Sequence, residues 1–100
     1  MKSYHRKYLK GLAHRLKPVV LIGQSGLTAS VLQAVDAALN DHELIKIKFN
    51  SFREKEEKAG ITAAIEKKTG AEWVGSIGHT AIIFRPHPEA DSRKIRLPDR

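Results

Sequence analysis

Between Ser3 and Leu16, apolar positions recur with a helical period: Leu9, Leu12, Ala13 and Leu16 fall at the i, i+3, i+4, i+7 spacing of a buried stripe. Ser3 is placed to cap this helix, and Pro18 stops it shortly after Leu16. Pro18-Val19-Val20-Leu21-Ile22 follows, apolar at consecutive positions, as an interior strand would be. Gly23-Gln24-Ser25-Gly26 breaks that strand. Thr28 then caps a second helix, with Val31, Val35, Ala38 and Leu39 on one side, ending near Asp41-His42. From Leu44 to Phe49 the period changes to two: Ile45, Ile47 and Phe49 alternate with Lys46 and Lys48, so a strand is expected with both lysines in solvent. Ser51-Phe52-Arg53-Glu54 has capping-box spacing for a third helix to about Thr69, which Gly70 ends; its mixed-sign run Arg53 to Lys58 reads as a solvated turn. Trp73–Ile77 and Thr80–Phe84 form two strands around Gly78-His79, which suits a hairpin.

The order is α-β-α-β-α-β-β. It predicts an α/β (α+β) fold: one compact domain with a mixed four-stranded sheet and helices packed on one face. The domain is expected to span residues 1–85, with residues 86–100, which include Pro86, Pro88 and Pro98, as an extended basic tail.

Charge adds direction to this picture. The net charge of +7 is uneven: residues 1–35 carry six Lys/Arg and no acid, whereas residues 36–84 carry seven basic and eight acidic groups. At 100° per residue, Arg6, Lys7, Lys10, His14 and Lys17 occupy about a third of the first helix's circumference, away from the apolar stripe. A concentrated basic ridge points to a polyanionic partner, nucleic acid ahead of a membrane surface. The chain has no cysteine, so disulfides and thiolate metal sites are excluded and a reducing compartment such as the cytoplasm is expected. No apolar run approaches the ~20 residues of a membrane span, and no apolar stretch follows the basic start as in a secretory signal.

The loop carries the most pointed chemistry. Two glycines bracketing two small polar residues, between a strand and a helix start, allow a close backbone approach to an anion favoured by the helix N–H groups and dipole. This is the device with which KH modules clamp a sugar-phosphate chain. Rival phosphate motifs fail: Gly26 is followed by Leu27-Thr28 instead of Lys-Ser/Thr, the third glycine of a dinucleotide fingerprint is missing, and Ser25 does not sit in Gly-x-Ser-x-Gly. His5, His14, His42, His79 and His87 have no zinc-ligand spacing, and no acid/base pair emerges, so neither catalysis nor a metal or cofactor is expected. Trp73 shares a strand face with Gly75 and Ile77, which assigns it to the core rather than to base stacking. Two alternatives stay open on the residues alone: a small enzyme acting on a phosphorylated substrate at the loop, and a docking module for an acidic protein.

The segments Leu9-Lys10-Gly11-Leu12-Ala13-His14, Pro18 through Thr28, His42 through Lys48, Lys68-Thr69-Gly70-Ala71, Ile77-Gly78 and Phe84-Arg85-Pro86 together resemble the CRM domain, in particular the stand-alone bacterial YhbY-like proteins. The resemblance runs in order over nearly the whole chain. It implies a fold similar to the C-terminal domain of translation initiation factor three, RNA binding without enzymatic activity, and association with large-subunit ribosomal RNA or its precursor particle during ribosome assembly. Related domains serve in group II intron splicing in plant organelles. Carried over, the RNA-binding positions are Gly23, Gln24, Ser25 and Gly26, the basic residues Arg6, Lys7, Lys10, His14 and Lys17, and Arg85. Two departures stand out: Gln24-Ser25 brings no charge, and Phe84 stands where many relatives have tyrosine before arginine.

Overall fold

The computed structural model describes residues 1–99 and contains α1 (Ser3–Ala13), β1 (Val20–Ile22), α2 (Ala29–His42), β2 (Leu44–Phe49), α3 (Lys55–Thr69), β3 (Glu72–Ile77), β4 (Thr80–Phe84) and a 3₁₀ turn at Ala90–Ser92. The element order is the expected one. In the sheet the strands run β1-β2-β4-β3, with β1 parallel to β2 and β4 antiparallel to both its neighbours. A parallel pair cannot be joined by a tight turn, and α2 supplies the crossover between β1 and β2. The β3–β4 hairpin turns at Gly78, whose φ of 57° suits glycine.

Alternation along the strands creates two cores. Ile45, Ile47 and Phe49 face α2 and α3, where Val35, Leu39 and Ile65 cover them. Leu44, Val74, Ile82 and Phe84 face the other way and are covered by Leu9 and Ala13 of α1. The expectation of helices on one face therefore holds for α2 and α3 but not for α1. Both faces of β4 are apolar, and Leu44 of β2 adds to the second, so both had to be covered.

Other differences follow from this arrangement. With no second helix beside it on this face, α1 buries only a narrow stripe, and Leu12 and Leu16 stay about two-fifths exposed. The helix ends at Ala13, short of Leu16; Lys2 rather than Ser3 occupies its N-cap, without a side-chain bond. Lys46, expected in solvent, is buried and donates from Nζ to the Leu16 carbonyl at 2.9 Å, a cation set against the chain leaving a helix C-terminus. β1 is an edge strand of three residues, not an interior one, so Val19 and Leu21 are half-exposed. The capping box of α3 forms one turn later than expected, between Glu54 and Glu57.

The segment from Pro86, expected to extend away as a tail, turns back over the α1 face. Ile95 and Leu97 pack against the Leu9 cluster, and His5 Nε2 donates to the Pro98 carbonyl at 2.9 Å. Its anchor is Glu43, which is 1% exposed and accepts backbone N–H bonds from His87 (2.7 Å), Lys94 (2.8 Å) and Ile95 (2.9 Å). Burial pushes the Glu43 pKa up, but the three backbone donors and the nearby His87 outweigh it and hold the carboxyl below its ordinary value.

Candidate nucleic-acid interface

The loop after β1 is closed by Gly26 N–H donating to the Gly23 carbonyl at 3.0 Å. Gly26 has φ of 70° and is buried beneath the Phe52 ring, which lies 3.3 Å from where a Cβ would stand. Gly23 has open space around it, and Gln24 and Ser25 are exposed beside it. Thr28 N–H donates to the Gly26 carbonyl at 3.1 Å, and Thr28 Oγ1 accepts from Val31 N–H, as expected of the α2 cap. The loop thus offers backbone at the positive end of α2.

The two glycines play different parts, and stability measurements will separate them. Gly26→Ala is expected to destabilise the fold by about 1–2 kcal/mol, the cost of a left-handed non-glycine residue, with Phe52 displaced. Gly23→Ala should stay within about 0.5 kcal/mol of the parent in urea denaturation, as substitutions without a specific structural feature do.

The cations around the loop are not those expected. Ile22 pairs with Phe49, the Ile22 carbonyl accepts from Asn50 and Ser51 N–H, and Phe49 N–H donates to the His79 carbonyl. The loop therefore shares its end of the sheet with Lys48, Arg53, Lys55 and Lys58, none of which is ion-paired among the described residues. The neighbouring Glu54 and Glu57 are engaged in the α3 capping box. Lys58 Nζ donates to the Gly78 carbonyl (3.1 Å) and to His79 Nδ1 (3.2 Å). An ammonium only donates, so Nδ1 is the acceptor and the imidazole proton sits on Nε2. Desolvation first, then the charges of Arg53 and Lys58, hold His79 below the ordinary imidazole value, neutral at pH 7.

Arg6, Lys7 and Lys10 lie elsewhere, along β3 at the opposite edge of the sheet. Three inter-strand steps, about 14 Å, separate the two edges. The aliphatic stem of Lys10 crosses Gly75, where a Cβ would meet it at 3.0 Å. His14 and Lys17 fall near the start of β1, at its other end from Gly23. Arg85 is spent on the fold: its guanidinium donates to Asp36 Oδ1 (2.7 Å), the Thr69 carbonyl (2.8 Å) and Asn40 Oδ1 (2.8 Å), tying α2 to the end of α3. The loop end and the basic helix thus carry their cations at opposite edges of the sheet, joined by one groove that Arg6, Lys55 and Lys58 line, and Arg85 belongs to neither set. Reading the sequence missed Phe52, Arg53 and Lys55. Pairing Ile22 beside Phe49 in a parallel β1–β2 unit would have brought them to the loop.

A small α/β domain that presents a glycine-bracketed backbone loop at a capped helix N-terminus, with cations outside any ion pair beside it, brings backbone N–H groups and positive charge to one end of the sheet. Residues 1–85 match the CRS1/YhbY (CRM) domain, and the chain belongs to that family. It is 45% identical over 98% of its length to a Haemophilus influenzae protein named RNA-binding protein, 95% of which is covered. Over 84% of its length it is 36% identical to the Pseudomonas aeruginosa protein named Probable RNA-binding protein PA4753, with 80% of that protein covered. The solution structure of hypothetical protein SAV1595 from Staphylococcus aureus superposes with a TM-score of 0.83 at 28% identity, over 98% of this chain and 99% of that one.

Proposed function

We propose that this chain binds RNA by its sugar-phosphate backbone, on large-subunit ribosomal RNA or its precursor particles in the cytoplasm, as a non-enzymatic assembly factor. The observation that carries the RNA reading is the Gly23–Ser25 stretch, exposed ahead of the N-terminus of α2 beside Lys48, Arg53 and Lys55. The names of its relatives support the same partner, and the family resemblance supports the ribosomal target.

Backbone binding makes a salt prediction. The logarithm of affinity should fall linearly with the logarithm of salt, by about 0.7–0.9 per phosphate neutralised. Arg53→Glu with Lys55→Glu should weaken binding to unrelated RNAs alike and flatten that slope, read by fluorescence anisotropy from about 50 to about 300 mM salt. Unchanged affinity would remove the loop end from the interface. Crosslinking in cells followed by sequencing tests the target: enrichment of large-subunit precursors is expected, and enrichment of unrelated RNAs would overturn it.

A further inference from the structure

Arg6 reaches round the edge strand β3 into two adjoining grooves. On the α3 side lies a groove of about 520 Å³ with a largely apolar lining, among them Phe49, Ala59 and Trp73. On the α1 side lies a shallower groove lined by Arg6, Lys7, Lys10 and Gly75. The two share Arg6, Trp73 and Ser76, so an apolar slot opens directly beside a cationic one.

Three details suit this edge to a ligand. Trp73, expected in the core, is 40% exposed, and its indole Nε1–H donates to Ser76 Oγ at 3.1 Å, which fixes the ring at the mouth of the groove. Arg6 Nε is buried without a hydrogen-bond partner among the described residues, an uncommon state for such a group. The acids of the α3-side groove are already occupied: Glu66 accepts from Trp73 N–H at 2.9 Å and Glu72 pairs with the Met1 amino group at 3.3 Å.

We propose that this edge is a second RNA subsite, taking one unstacked base of a single strand against Trp73 while Arg6, Lys7 and Lys10 hold the adjoining phosphate. It rests on the RNA-binding reading and deepens it. The volume falls in the range of sites that enclose a small ligand. An aromatic face with cations beside it accepts any base, whereas an A-form duplex keeps its bases stacked and out of reach. Lys55 and Lys58 line the same groove and flank the loop end, so a strand clamped at Gly23–Gly26 can continue along α3 to Trp73.

Trp73 is the single tryptophan, so its fluorescence reports the site without a substitution. Titration with a single-stranded oligoribonucleotide is expected to quench it, and a duplex of the same sequence is expected to bind without quenching. Trp73→Ala should weaken single-strand binding about 5- to 100-fold with the salt slope unchanged, since stacking and not phosphate contact is lost. Trp73→Phe, which keeps an aromatic face, should recover most of it. RNA binding by anisotropy with silent Trp73 fluorescence and a Trp73→Ala variant of full affinity would overturn the subsite and leave the RNA reading standing. Absence of salt-sensitive binding to any RNA would overturn both.

Discussion

Glu43→Ala is expected to destabilise the protein by about 3–4 kcal/mol and to free residues 87–97 from the sheet, the largest effect of any single substitution considered. Three backbone N–H groups converge on that carboxylate, and removing it leaves all three buried or half-buried donors without their acceptor. Bonds to a charged acceptor contribute about 1.5–3 kcal/mol each, and their sum is reduced because one relaxation of the segment serves all three. The residue also sits at φ 65° as the C-cap of α2, so Glu43→Gly relieves backbone strain while losing the same bonds and should be the milder change. Because the folded chain holds the carboxyl below its ordinary pKa, its stabilisation is present above the unfolded value of 4.5 and lost as pH falls through the lower folded value. Urea midpoints measured from pH 7 downward should therefore converge for the parent and Glu43→Gln as the parent's carboxyl takes up its proton. Limited proteolysis of Glu43→Ala should cut first after Arg93, Lys94 or Arg96.

Arg85→Ala carries the second large expectation, about 2 kcal/mol of lost stability with RNA affinity of the folded protein unchanged. Its guanidinium bridges Asp36 and Asn40 on α2 to the Thr69 carbonyl at the end of α3, with charge-assisted geometry at 2.7 and 2.8 Å. Arg85→Lys keeps the charge and loses the planar fork, so about half of the deficit should remain. Denaturation gives the first quantity, and anisotropy below the melting temperature gives the second. A loss of affinity beyond the unfolded fraction would restore Arg85 to the interface.

The elements were legible in the sequence because local signals agree: the helical spacing of Val31, Val35, Ala38 and Leu39, the period of two from Leu44 to Phe49, and Gly70 and Gly78 at stops. Each lies within one element or at its boundary. Sheet order was not legible, and most differences descend from it. Nothing between Pro18 and Ile22 announces an edge, since Val19 and Leu21 are as apolar as their buried neighbours. Trp73 looked like core because its strand carries Gly75 and Ile77, but β3 is the other edge, and a register shift puts Trp73 beside Ile83 and Gly75 beside Ile82, on opposite faces. The loop itself was readable from two glycines and a cap. Its surroundings were not, because Arg53 and Lys55 reach it only through the pairing of Ile22 with Phe49.

The smaller core couples the start of the chain to its end, and this sets a schedule for synthesis. Leu9 and Ala13 wait for β2 to emerge before they meet any strand, then for Val74, Ile82 and Phe84, and finally for Ile95 and Leu97. The larger core closes once β4 is made, at residue 84. At about 5–20 residues per second, the α1 segment therefore spends several seconds with its apolar stripe uncovered beside the ribosome that is making it. Of the described elements, the first in sequence is the last to be sealed.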